Sequence, residues 1–177
     1  MQPQIPLTRD LVLIGGGHAH ALAARMWGMK PVPGVRLTLI NPGPTAPYSG
    51  MLPGHIAGHY TRDDLDIDLV KLARFAGARL ILGATEHIDP VGKNIRLSSG
   101  RRVAYDVASI DVGIHAEMPG IEGFAEHGLG AKPLDRYASG WADFVERAKA
   151  GEVAPQVAVI GGGVAGCELA MAMSHRL

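Results

Sequence analysis

Leu11 to Ala24 reads LVLIGGGHAHALAA, and Val157 to Ala170 reads VAVIGGGVAGCELA. In each stretch a short apolar run gives way to glycines and then to residues that favour helix. An uninterrupted apolar run of this length predicts a parallel strand buried on both faces, and the glycines predict a tight turn at its end. After the first turn, His18 to Met29 is rich in helix formers until Pro31 and Pro33 close it. Val35 to Ile40 reads as a second strand, closed by Asn41-Pro42-Gly43-Pro44. Strand, glycine turn, helix and strand within about 30 residues make one βαβ unit. The second copy restarts that pattern at Val157, and its helix runs to Leu177, the last residue. The expectation is an α/β fold that is C-terminally truncated, the front part of a longer protein.

Between the copies the pattern changes. Thr45 to Thr61 shows turn formers and little periodicity, which predicts an ordered loop with one helical turn. Asp66 is placed to cap a helix ending near Ala76, before Gly77. Strand-like segments follow near Arg79 to Leu82, Thr85 to Ile88, Asn94 to Leu97 and Val103 to Ile110. The Gly92-Lys93 and Ser99-Gly100 turns between the later ones predict an antiparallel meander beside the parallel sheet. A helix from about Asp135 to Ala150 puts Trp141, Phe144, Val145 and Ala148 on one stripe.

Composition narrows the function classes. Lys plus Arg equals Asp plus Glu, 17 each, so no charge excess points to nucleic acid or to an anionic membrane. No apolar run approaches the roughly 18 residues of a spanning helix, and Met1 to Asp10 lacks the layout of a secretory signal. The expectation is a cytoplasmic protein, with a membrane-peripheral position open to the full-length form. One cysteine, Cys167, rules out an internal disulfide and a Cys-x-x-Cys pair, and it reads as a small packed residue. His55 and His59 have i, i+4 spacing, but Pro53, Gly54 and Gly58 make a helix there doubtful and no third ligand stands out, so no metal site is expected.

The glycine turns carry the chemistry. A helix that starts directly after a buried strand presents unpaired N–H groups and a partial positive charge, suited to a pyrophosphate. In a G-x-G-x-x-G turn the first glycine permits the tight bend, the second lets phosphate approach, and the third lets helix and strand pack. Gly161, Gly163 and Gly166 fill all three places; in the first copy Gly15 and Gly17 fit and His20 stands third. Two such turns predict a Rossmann-like fold holding two dinucleotides. The acidic residue that would bind the ribose after the second strand is replaced by Asn41, whose amide can still hydrogen-bond a hydroxyl. His18 sits at the mouth of the first helix as a phosphate donor, and His20 either shares that task or fills the space of the absent glycine.

Two such turns flanking a meander resemble the two-dinucleotide flavoprotein superfamily that includes the pyridine nucleotide–disulfide oxidoreductases. YDVASIDVGI, Tyr105 to Ile114, is similar to that group's Tyr-Asp and Ala-Thr-Gly segment, with Asp111-Val112-Gly113 in place of Ala-Thr-Gly, so that Gly113 carries over. PYSGMLPGHIAGHY, Pro47 to Tyr60, with GGGHAHAL and AKPLDRY, resembles the NADH dehydrogenase-like flavoprotein module sometimes fused to selenide, water dikinase.

The resemblance implies FAD in a domain over residues 8–133 and NAD(P)H in the beginning of a second domain over residues 134–177. It implies a FAD-dependent oxidoreductase that passes hydride from NAD(P)H to flavin and on to a quinone or another small acceptor. The Gly-Asp segment that completes FAD contacts in relatives is not in this stretch, so the fragment is expected to be inactive. Tyr48, Ser49 and Gly50 are implied to pass near the flavin ring, and Lys132 to balance the charge of reduced flavin, against the plainer reading of a solvated lysine. Glu168, read as lying in the first turn of the second helix, is either the candidate catalytic residue at the nicotinamide edge or an acid favoured by the helix dipole. The competing function is a non-catalytic nucleotide-binding module that senses redox state or supports a fused enzyme, on the departures at Asn41, His20 and Asp111. A homo-oligomer is compatible with an exposed face where the rest of the second domain would dock.

Overall fold

The computed structural model of the chain describes residues 6–113 and 120–177; Ile114, the end of the quoted YDVASIDVGI segment, lies outside them. The chain forms two compact units, one of residues 6–46 and 67–113, the other of residues 47–66 and 120–177.

In the first unit, β1 (Arg9–Ile14) lies between β2 (Val35–Asn41) and β9 (Val107–Ile110), parallel to both, and β5 (Arg79–Leu82) pairs parallel with the far edge of β2. A strand paired on both sides and covered on both faces needs apolar residues at every position, and Val12, Leu13 and Ile14 are all buried. Val12 and Ile14 face one way, with Ile40 and Ile81, onto Ile95, Leu97 and Val103 of a second sheet. That sheet is the antiparallel meander of β6 (Thr85–Asp89), β7 (Asn94–Leu97) and β8 (Arg102–Ala104). Leu13, Leu37 and Leu39 face the other way, onto α1 (His18–Met29) and α3 (Leu69–Ala76). Alternation along each strand thus makes two cores, and each fully buried aliphatic side chain contributes about 1.5–3 kcal/mol.

Three expectations need correction. The single strand expected from Val103 to Ile110 is two: the chain turns at Tyr105 and Asp106, so β8 ends the meander while β9 joins the parallel sheet. The cap of α3 is Asp68, whose carboxylate accepts from the Lys71 N–H at 2.9 Å, and not Asp66. Asp66 belongs to β4 (Asp66–Asp68), and its carboxylate faces Arg62 at 3.0 Å. The Thr45 to Thr61 segment is more ordered than a loop. It holds β3 (Thr45–Pro47), a 3₁₀ turn at Ser49–Met51 and α2 (Leu52–Ile56).

The second unit is helical. In α5 (Leu134–Lys149), Leu134, Tyr137, Ala138, Trp141 and Val145 recur at helical spacing and are buried. They pack with Leu52 and Ile56 of α2 and with Leu169, Ala172 and Met173 of α6 (Val164–Arg176). A short helix α4 (Phe124–His127) precedes α5. The strand expected from Val157 to Ile160 is not formed. Its residues are exposed, Ile160 by 60%, because a strand exists through its ladder and none of the described residues pairs with it.

Candidate functional site

The first glycine turn stands at the ends of β1, β2 and β9. Gly15 has φ +92°, and its N–H donates to the Ile40 carbonyl at 2.8 Å, extending the ladder by one bond. A Cβ there would collide with the Asp111 carbonyl oxygen at 2.0 Å, so both conformation and space require glycine. The Gly16 N–H donates to Asn41 Oδ1 at 2.9 Å. The Asn41 amide in turn donates to the Gly43 and Thr45 carbonyls, at 2.8 and 3.1 Å. Both hydrogens of that amide are therefore spent on the backbone, and Asn41 ties the end of β2 to the turn; a ribose hydroxyl could reach only the second lone pair of Oδ1.

His20 resolves the missing third glycine. It is buried, its Nδ1 lies 2.7 Å from the Gly15 carbonyl and its Nε2 lies 2.9 Å from Ser109 Oγ. A carbonyl only accepts, so Nδ1 carries the proton, and in the neutral ring Nε2 accepts from the Ser109 hydroxyl. The imidazole fills the space between turn and helix. His18 is exposed at the helix start.

What meets the end of α1 is a carboxylate. Asp111 Oδ2 accepts from the His20 N–H at 3.0 Å, and a Cβ on Gly17 would lie 2.5 Å from the carboxyl group. As it stands, the Asp111 carboxylate takes one of the helix-start N–H groups and covers the face of Gly17, so it competes there with a dinucleotide phosphate. Nothing lies within 4 Å of a Cβ on Gly113.

The second turn differs. Gly161 has φ +133°, and Cβ atoms built on Gly161, Gly162 and Gly163 meet nothing within 4 Å. A Cβ on Gly166 would lie 2.1 Å from the Gly161 carbonyl, so this third glycine lets α6 sit against its own turn. No acidic residue occupies the first turn of α6. The cradle is open and fits the phosphates of a dinucleotide. It borders a cavity of about 800 Å³ walled by Tyr137, Trp141, Phe144, Leu169 and Met173, within the size range of small-molecule sites.

The remaining candidates are spread over the second unit. Glu168 is the fifth residue of α6, one residue past the first turn in which the sequence pattern puts it, and exposed. Cys167 is exposed, not packed, because α6 presents that face to solvent. Tyr48 donates its N–H to the Leu65 carbonyl at 2.7 Å, and its ring covers Gly50 so closely that a Cβ there would lie 2.6 Å away. Ser49 opens the 3₁₀ turn, and Lys132 is half-buried just before α5. His55 directs Nδ1 at the Tyr60 carbonyl, 2.9 Å away.

The structure thus gathers Gly15, Gly17 and Asn41 at one turn and Gly161, Gly163 and Gly166 at another. Tyr48, Ser49, Gly50, Lys132 and Glu168 do not line the cavity. Sequence reasoning noted Asp111 only as a departure from a pattern. Its signal was position: a carboxylate just past the strand that neighbours the first turn.

Residues 9–176 match the family model described as Pyridine nucleotide-disulphide oxidoreductase. Comparison with curated proteins gives no match. Among solved structures, the chain is similar to the sulfide:quinone oxidoreductase of Aquifex aeolicus, with 24% identity and a TM-score of 0.65 over 80% of this chain and 33% of that one. It is similar to a NAD-dependent persulfide reductase from A. fulgidus, with 22% identity and a TM-score of 0.73 over 94% and 32%. A water-forming NADH oxidase from Lactobacillus brevis gives 21% and 0.70 over 95% and 38%. These likenesses show the fold, and the chain spans about a third of the length of the structures it matches. No helix among the described residues is long and apolar enough to cross a membrane. With nearly its whole length matched, the chain belongs to the pyridine nucleotide-disulphide oxidoreductase family.

Proposed function

We propose that the protein is a FAD-dependent oxidoreductase of the cytoplasm that takes hydride from NAD(P)H and passes electrons to a quinone or another small acceptor. The open cradle of Gly161, Gly162 and Gly163 at the start of α6 carries this reading, because it offers unpaired backbone N–H groups and space for a diphosphate. In this reading residues 134–177 begin the NAD(P)-binding part and residues 8–133 form the FAD-binding part. Gly161 and Gly163 receive the nicotinamide dinucleotide's phosphates, and Gly166 keeps α6 against the turn. Glu168 is the candidate at the nicotinamide edge. Gly15, Gly17, His18, Tyr48, Ser49, Gly50, Gly113 and Lys132 are the candidates on the flavin side. Flavin, when bound, supplies the two-electron chemistry, and the protein supplies position and electrostatics.

A second reading, a non-catalytic nucleotide-binding module, is favoured by one observation: the Asp111 carboxylate already sits on the helix end of the first turn. One experiment separates the two. The protein expressed from its complete gene is incubated with FAD, freed of excess and titrated anaerobically with NADH. Bound flavin that bleaches on titration supports the oxidoreductase. NADH binding with no flavin retained, or with flavin that stays oxidised, supports the module.

A further inference from the structure

The main chain around Asp111 is fixed by the sheet. Its N–H donates to the Ile14 carbonyl at 2.8 Å, and its own carbonyl oxygen lies against Gly15. The side chain is thereby delivered onto the start of α1, where Oδ2 takes the His20 N–H at 3.0 Å and the carboxyl group covers Gly17. A helix N-terminus attracts an anion through the same few N–H groups that a capping carboxylate uses. Carboxylate and diphosphate therefore compete, and side by side they repel. The second turn has no such group: no acid lies in the first turn of α6 and its glycines face open space.

We infer that Asp111 is a specificity-determining residue of the first glycine turn: its carboxylate stands where a ligand phosphate would stand, and a dinucleotide enters only when that side chain swings off the His20 N–H. This rests on the proposed use of the first turn as a nucleotide site. Because the backbone is held by β1, the exchange needs only a side-chain rotation, and it sets the affinity of the first turn without altering the fold.

The test uses the full chain, with ADP as probe and the backbone amide resonance of His20 as a local reporter, so that binding at the second turn is not counted. Asp111→Ala is expected to bind ADP at His20 about tenfold more tightly than the wild type, and Asp111→Asn, which keeps an acceptor but no charge, to fall between. Equal or weaker affinity in a folded Asp111→Ala overturns the inference. If that variant does not fold, the neutral Asp111→Asn decides, and an affinity equal to wild type overturns it. FAD is titrated in parallel. A gain for ADP without any FAD binding leaves the inference standing and removes the flavin reading, whereas equal FAD binding by wild type and Asp111→Ala removes the inference and leaves the flavin reading intact.

Discussion

Asn41 and Gly16 are joined by a buried hydrogen bond, N–H to Oδ1 at 2.9 Å, across 25 residues of sequence. It fixes the middle glycine of the first turn to the end of the neighbouring strand. Asn41→Leu leaves the Gly16 N–H buried and unpaired and frees the Gly43 and Thr45 carbonyls. The expected cost is about 1–3 kcal/mol in guanidinium unfolding. A loss below about 0.5 kcal/mol, the scale of an ordinary surface change, would show that the amide does not organise the turn.

His20 makes a comparable demand from the helix side. The variant His20→Gly restores the third glycine of the motif but empties a filled site and frees both Ser109 and the Gly15 carbonyl. It should lose more than about 2 kcal/mol, through the cavity and the helical glycine together. Ring nitrogen shifts of the wild type should report the proton on Nδ1; a proton on Nε2 alone would contradict the geometry.

In the second unit the Trp141 indole N–H donates to the Ile56 carbonyl at 3.0 Å from a buried position, and the ring stacks on Phe144. Trp141→Phe keeps most of the packing and should cost about 1 kcal/mol. Trp141→Ala should cost about 3–5 kcal/mol. Similar losses for the two variants would mean that the bond, not the volume, holds α2 to α5.

Acid stability follows from Asp10. The Arg36 guanidinium grips its carboxylate at 2.5 and 2.9 Å. Those bonds hold its pKa below the usual carboxylate value, burial works against them, and the charges of Arg36 and Arg79 assist. A depressed folded pKa gives stability that is fully present above the unfolded value of about 3.9 and lost as pH falls through the folded one. Asp10→Asn should flatten the pH dependence of unfolding below about pH 4. At neutral pH it should cost less than about 1 kcal/mol, since the pair is partly exposed. An unchanged acid slope would sink this assignment.

The parts of the fold that were legible in the sequence are those written in local pattern. The apolar run before Gly15, the helix formers up to Met29 and the stripe through Trp141 and Val145 each name an element from its own residues. What could not be read depends on residues far apart in the chain. Nothing local distinguishes β8 from β9 within Val103 to Ile110, because only pairing with β7 or β1 tells them apart. The Val157 run has strand-forming residues, yet a strand needs a neighbour. Asp66 and Asp68 are equally good caps on paper, and Arg62 takes the first. At the site, the glycines announced both turns, but the use of Asn41, His20 and Asp111 came from contacts spanning 25 and 91 residues.

The proposed function rests on the second glycine turn as an open cradle for a dinucleotide phosphate. Gly163 has φ −76° and open space at its Cβ position, so Gly163→Ala should change stability by no more than about 1 kcal/mol, the scale of an N-cap exchange. The added methyl occupies the place a phosphate would take. Titration with NADH, followed by fluorescence, should therefore show binding to the wild type and an affinity at least about tenfold lower in the equally stable variant. Equal affinities, or no binding by either protein, would contradict the account.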